Sequence, residues 1–138
     1  MKLTSHSVNQ THVFAAGVIN ALSDRNVLAL YGELGAGKTT FVQGLAAALG
    51  ITKRLISPTF TLMRQYPVKS DRYNSLYHLD LYRVESAADL KSIDLSEIIA
   101  DPNNLVVIEW AEKASDILPS RRLDIKFKTV GDNHEIVY

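Results

Sequence analysis

Val27-Leu28-Ala29-Leu30-Tyr31-Gly32-Glu33-Leu34-Gly35-Ala36-Gly37-Lys38-Thr39-Thr40 is the stretch on which the reading of this chain turns. Val27 to Tyr31 is an unbroken apolar run, the pattern of a strand buried on both faces of a sheet. Gly32 to Thr39 then matches G-x4-G-K-[ST]. Each position of that motif answers a physical demand. A phosphate chain can lie against several backbone N–H groups only where no side chain intervenes, which calls for glycine. The helix that follows points its N-terminus at the anion. Lys38 adds a point charge at the β and γ phosphates, and the Thr39 hydroxyl can ligand Mg²⁺. Chance produces such a pattern in well under ~1% of chains of this length, and a strand before it and a helix after it strengthen the assignment. Lys38 to Leu49 reads as that helix, with Gly50 placed to end it.

Working outward, Ser7 followed by Gln10 reads as a capping box. Thr11, Phe14, Val18 and Leu22 behind it recur at helical spacing. Downstream, Ser57-Pro58 marks a break. Thr59 to Tyr66 and Ser75 to Tyr82 read as two strands with a polar connection, the pattern of a hairpin. Ser86 is placed to cap a short helix through Leu90. Leu105 to Ile108 is a second short apolar run of buried-strand type, ending at Glu109-Trp110. Leu123, Ile125 and Phe127 alternate with Asp124, Lys126 and Lys128, a half-exposed strand with which Glu135 to Tyr138 can pair. The order predicts an α/β fold, a parallel core with antiparallel additions.

The bulk properties bound the function. A chain of 138 residues, 46% of them apolar, suits a single domain over residues 1–138 with one sizeable core. Fifteen basic residues balance fifteen acidic ones. A neutral chain with pI near 6.9 lacks the positive field of a protein that grips nucleic acid by itself, so a role in nucleic-acid chemistry is expected to run through a partner. The absence of cysteine excludes disulfides, thiolate catalysis and cysteine-ligated metals, and fits a cytoplasmic protein. Met1 to Ser7 has no charged segment leading into an apolar one, so no signal peptide is expected. No apolar run approaches the ~18 residues of a membrane span.

Two acids can serve a metal beside the glycine-rich loop. Glu109 ends an apolar strand, where a carboxylate can hold Mg²⁺ directly or through water. Asp80 competes with it. It lies in Tyr77-His78-Leu79-Asp80-Leu81-Tyr82, where alternation puts His78, Asp80 and Tyr82 on one face. Taken alone, His78 reads as structural and Trp110 as core. Ser57-Pro58-Thr59 stands at a distance after the loop that suits a segment sensing the γ-phosphate.

These motifs, taken together, resemble the TsaE-type ATPase family. The resemblance rests on Gly32 to Phe41, on Ser57-Pro58-Thr59-Phe60-Thr61-Leu62, on Tyr77-His78-Leu79-Asp80-Leu81-Tyr82-Arg83 and on Ile108-Glu109-Trp110, matched in order over nearly the whole chain. It implies a P-loop NTPase-like three-layer fold with a mostly parallel central sheet. It implies binding of ATP or ADP with Mg²⁺, slow hydrolysis by the protein alone, and work with the TsaB–TsaD pair. That pair transfers the threonylcarbamoyl group to adenosine 37 of tRNAs reading ANN codons, so that tRNA is met only indirectly. The resemblance makes Thr39 and Glu109 the metal-site residues and Lys38 the phosphate lysine. It puts Asp80 in the active site, Gly35, Ala36, Gly37 and Thr40 around the nucleotide, Trp110 beside it, and Thr11 on the nucleotide side. Ser57 to Thr61 would be a switch-like segment. The chain departs from the family pattern at Gly131-Asp132-Asn133-His134, where many members carry an arginine.

The reading is an ATPase with water as the attacking group, which either Asp80 or Glu109 could position. Arg54, Arg64 and Arg83 are candidates for an arginine finger, unless a partner supplies that charge. A non-enzymatic nucleotide-sensing partner and a small-molecule kinase are the alternatives. The kinase would need a lid rich in arginine and an acceptor pocket.

Overall fold

A computed structural model describes residues 1–56, 58 and 61–138. Among these, seven strands form one sheet in the order β1-β7-β6-β2-β5-β4-β3. The strands are β1 (Lys2–Ser5), β2 (Val27–Tyr31), β3 (Met63–Pro67), β4 (Ser75–Asp80), β5 (Asn104–Glu109), β6 (Leu123–Val130) and β7 (Asn133–Val137). The helices are α1 (Val8–Ala21), α2 (Lys38–Ala48) and α3 (Leu95–Ala100), with 3-10 turns at Ala87–Leu90 and Ala111–Ala114.

The expected mixture holds. β4, β5, β2 and β6 run parallel at the centre. β3 closes one side antiparallel, and β7 and β1 close the other. The apolar run at Val27 is central because only a strand covered on both faces can bury every side chain it carries. Its alternate residues feed two cores. Leu28 and Leu30, with Leu105, Val107, Ile125 and Phe127, face α1 and α2. Val27 and Ala29, with Val106, Ile108 and Leu79, face α3 and the two 3-10 turns. The result is three layers.

Phe41 of α2 joins the layers on the first face. It meets Phe127 edge-on at 5.5 Å and lies 6.4 Å from Phe14 of α1. Its removal to alanine would cost ~3–5 kcal/mol, the usual penalty for emptying a buried aromatic site.

Ser7 caps α1, accepting from the Gln10 amide at 3.2 Å. The return bond of the expected box shifts by one residue, since Gln10 Oε1 accepts from His6 N at 2.7 Å. The hairpin of β3 and β4 forms, with β4 ending at Asp80 rather than Tyr82. Beyond it Leu81 N still bonds to Glu109 O at 3.1 Å, but Asp80 Oδ1 accepts from Tyr82 N at 3.0 Å and turns the chain. Ser57, Thr59 and Phe60 lie outside the described residues, and with them most of the expected switch-like segment.

Candidate functional site: a glycine-rich loop facing two acids

Parallel strands set the position of the site. β2, β4 and β5 all end on the same edge of the sheet, and the register pairs Asp80 with Glu109 and Leu30 with Glu109. Both acids therefore stand where the chain leaves β2 and enters the glycine-rich loop. This is the carboxyl end of an open parallel sheet, where such folds take ligands.

Two glycines are required by the loop's path. At Gly32 (φ +150°) a Cβ would stand 2.6 Å from Phe127 O of β6, so no side chain fits. Gly37 opens α2 with φ +105°, a left-handed conformation that glycine adopts without the penalty other residues incur.

Lys38 is 4% exposed. Its Nζ donates to the carbonyls of Gly32 and Glu33 and lies 4.2 Å from the centre of the Trp110 ring. Burial pushes its ammonium below the ordinary lysine value, opposed by the nearby charges of Glu109, Glu112, Asp80 and Glu33. Trp110 reaches it because the chain turns sharply after Glu109. Trp110 itself has φ +59°, rare for a bulky residue and of the kind that concentrates at functional sites. Tyr82 backs Trp110 at 5.1 Å.

The acids are ordered by specific bonds. Thr39 Oγ1 donates to Glu109 Oε1 at 3.0 Å, and His78 Nε2 lies 2.6 Å from Glu109 Oε2. Glu109 is 2% exposed.

A cleft of about 220 Å³ gathers Gly35, Gly37, Lys38, Thr39, Thr40, Asp80, Glu109 and Trp110. Ala36 does not line the cleft, because its side chain is buried in the core. Thr11 lines a second cavity, also of about 220 Å³, with His6, Ser7, Asp132 and His134. The two meet at Gly37, Thr40 and His134. His134 was not singled out by sequence reasoning, and neither was the link from His78 to Glu109. Of the candidate arginines, Arg83 shares a small cavity with Asp80 and Tyr82, whereas Arg54 and Arg64 line a separate groove.

No group of three or more His, Cys, Asp or Glu side chains among the described residues could hold a metal alone. The arrangement fits Mg²⁺ all the same. That ion keeps several waters and takes one or two carboxylates together with the phosphates it accompanies, and here a hydroxyl and a carboxylate already meet beside the loop. Thr39 and Glu109 are the groups that would hold it.

The fold, the motif and the acids converge on one lineage, and a family model for "Threonylcarbamoyl adenosine biosynthesis protein TsaE" matches residues 5–136. The chain belongs to the TsaE family. It is similar to the tRNA threonylcarbamoyladenosine biosynthesis protein TsaE of Treponema pallidum, with 37% identity over 99% of this chain and 98% of the relative. The protein of the same name from Bacillus subtilis is 42% identical over 78% of this chain and 65% of its own length. Among solved structures, the crystal structure of Bacillus subtilis YdiB superposes with a TM-score of 0.76 at 34% identity, covering 99% of this chain and 82% of that one. No helix among the described residues of this TsaE-family chain is long and apolar enough to cross a membrane.

Proposed function

We propose that the chain is the Mg²⁺-dependent ATPase of the machinery that makes threonylcarbamoyladenosine in tRNA, working in the cytoplasm with the TsaB–TsaD pair. The role in the modification follows from family membership and from the names its relatives carry. The hydrolytic reading rests above all on one observation, the bond from Thr39 to Glu109 beside the buried Lys38.

In this reading the phosphates lie along Gly35, Gly37 and Thr40, and Lys38 exchanges its loop carbonyls for the β and γ oxygens. Thr39 and Glu109 would hold Mg²⁺, which would supply positive charge against the phosphates. Asp80, one strand away, orients the water. The water oxygen bonds to the γ-phosphorus as the bond from that phosphorus to the β–γ bridging oxygen breaks, and the water's proton leaves with the phosphate. Trp110, backed by Tyr82, covers Lys38 and keeps bulk water from it. The nucleoside extends from Thr40 into the cavity of Thr11, His6 and His134.

A P-loop protein without an arginine at the γ-phosphate leaves transition-state charge partly uncompensated and is slow. Basal hydrolysis is therefore weak and rises when TsaB and TsaD are added. The test measures phosphate release by the protein alone, with the pair, and with tRNA alone. Stimulation by tRNA alone and none by the pair would overturn the assignment of partners. No phosphate release under any condition would overturn the ATPase.

A further inference from the structure

His78 plays no part in the steps above, yet it is fully buried at the back of the site. It sits on β4 two residues before Asp80 and opposite Val107 of β5. An imidazole in such surroundings is unfavourable unless it is hydrogen-bonded. Here one nitrogen is bonded and the other is not: Nε2 lies 2.6 Å from Glu109 Oε2, while Nδ1 is buried with no partner.

The bond matters more to Glu109 than to the histidine. A buried carboxylate needs donors on both oxygens, since each lone acceptor carries the full cost of its lost hydration. Thr39 serves Oε1 and His78 serves Oε2. The two donors differ in place. Thr39 lines the cleft and belongs to the phosphate loop, whereas His78 is absent from the cleft's lining. The Thr39 hydroxyl can meet a metal through its oxygen while its proton stays hydrogen-bonded to Oε1. The bond from His78 holds the other oxygen from behind.

We propose that His78 is a positioning residue, whose Nε2–H pins Oε2 of Glu109 so that Oε1 faces the metal beside Thr39. The proposal rests on the Mg²⁺–nucleotide reading of the site. His78 touches neither nucleotide nor metal. It sets the aim of the one carboxylate that does. Because β4 also carries Asp80, a single strand then fixes both acids, Asp80 by register and Glu109 through the imidazole. Hydrogen-bond partners behind a metal ligand typically account for ~10–100-fold in metal affinity.

The test is calorimetry of ADP binding across a series of Mg²⁺ concentrations, on the whole chain. His78→Leu fills the space without a donor, and His78→Gln offers an amide N–H near the place of Nε2. Expected are unchanged ADP binding without Mg²⁺, about tenfold more Mg²⁺ needed to tighten binding in His78→Leu, and a value near the native one in His78→Gln. An unchanged Mg²⁺ requirement in His78→Leu, or equal losses in both variants, would overturn the role of His78 alone. A native protein whose ADP affinity ignores Mg²⁺ would overturn the metal reading, and the proposal with it. Should His78→Leu fail to fold, nitrogen-15 spectra of the native protein decide the matter. A proton on Nε2 that persists with Mg²⁺ and ADP supports the role, and a proton on Nδ1 alone overturns it.

Discussion

The two cavities that meet at Gly37 and Thr40, which we propose take the phosphates and the nucleoside, are built in opposite ways. The phosphate end comes from one unbroken segment, Gly32 to Thr40, faced by acids at the ends of adjacent parallel strands. The nucleoside end comes from three remote pieces: the turn from β1 into α1, the start of α2, and the β6–β7 hairpin. The phosphate end is bonded internally: its lysine, threonine and glutamate are all held by bonds inside the protein. The nucleoside end holds one buried polar atom with no partner, His134 Nδ1. The difference teaches where binding energy is expected. Charge, fixed in place and partly desolvated, dominates the first end, and contacts of ordinary hydrogen-bond strength dominate the second.

The largest effect expected from breaking this contrast is at Lys38. Lys38→Ala removes the only side-chain cation that the phosphate cleft contains among its described residues. Hydrolysis should fall by about 10²-fold or more, the scale of losing a preorganised donor to developing charge. Melting in the absence of nucleotide should hardly change, because the buried ammonium is itself disfavoured by its surroundings. Phosphate release at the native rate would remove the phosphate end from the argument altogether.

Glu109 comes next. Its Oε1 already bonds to Thr39, whereas Asp80 Oδ1 accepts from Tyr82 N. Glu109→Ala should therefore raise the Mg²⁺ needed for turnover by at least the ~10-fold that loss of even an outer partner costs, with Thr39→Ala in the same direction. Asp80→Ala should lower turnover while leaving the Mg²⁺ requirement near native. Normal hydrolysis by Glu109→Ala at low Mg²⁺ would reverse the two assignments.

The contrast also explains what was legible in the amino-acid sequence. The phosphate end is contiguous, so its motif, the strand before it and the helix after it could be read directly, and β2 has the expected bounds. Glu109 was legible as the end of an apolar run. The pairing of His78 with Glu109 was not, because it depends on the register of two strands and spans 31 residues. β1 and α3 escaped notice because Lys2–Ser5 and Leu95–Ala100 are too short to establish a period. The nucleoside end had no local signature at all. Thr11 follows only from the resemblance, and His134 stands where the chain departs from the family's arginine.

A smaller effect should appear with pH. Burial lowers the Lys38 pKa. The free native protein thus binds fewer protons than the unfolded chain between that lowered value and the ordinary one. Through that window Lys38 makes stability rise with pH. Bound phosphates favour the ammonium, so binding there takes up a proton and nucleotide affinity falls as pH rises, by at most ~10-fold per unit for one proton. Lys38→Ala should flatten the dependence. An ADP affinity that rises with pH in the native protein would contradict the sign.

The smallest effect, and the one that sharpens the contrast most, is at His134. Its ring lies beside Gly37, where an added Cβ would stand 3.7 Å from the ring's Cγ, and it lines both cavities. It carries a buried Nδ1 with no partner, and a nucleoside in the second cavity would supply one. A hydrogen bond of ordinary strength is worth ~0.5–1.5 kcal/mol, a factor of roughly 2–10 in affinity. His134→Ala should weaken ADP binding by that factor and leave pyrophosphate binding unchanged, because pyrophosphate fills only the first end. Titration of both ligands against both proteins provides the check. Equal losses for ADP and pyrophosphate would mean that His134 supports the loop at Gly37 rather than the nucleoside, and the boundary between the two ends would then lie beyond His134, nearer Thr11.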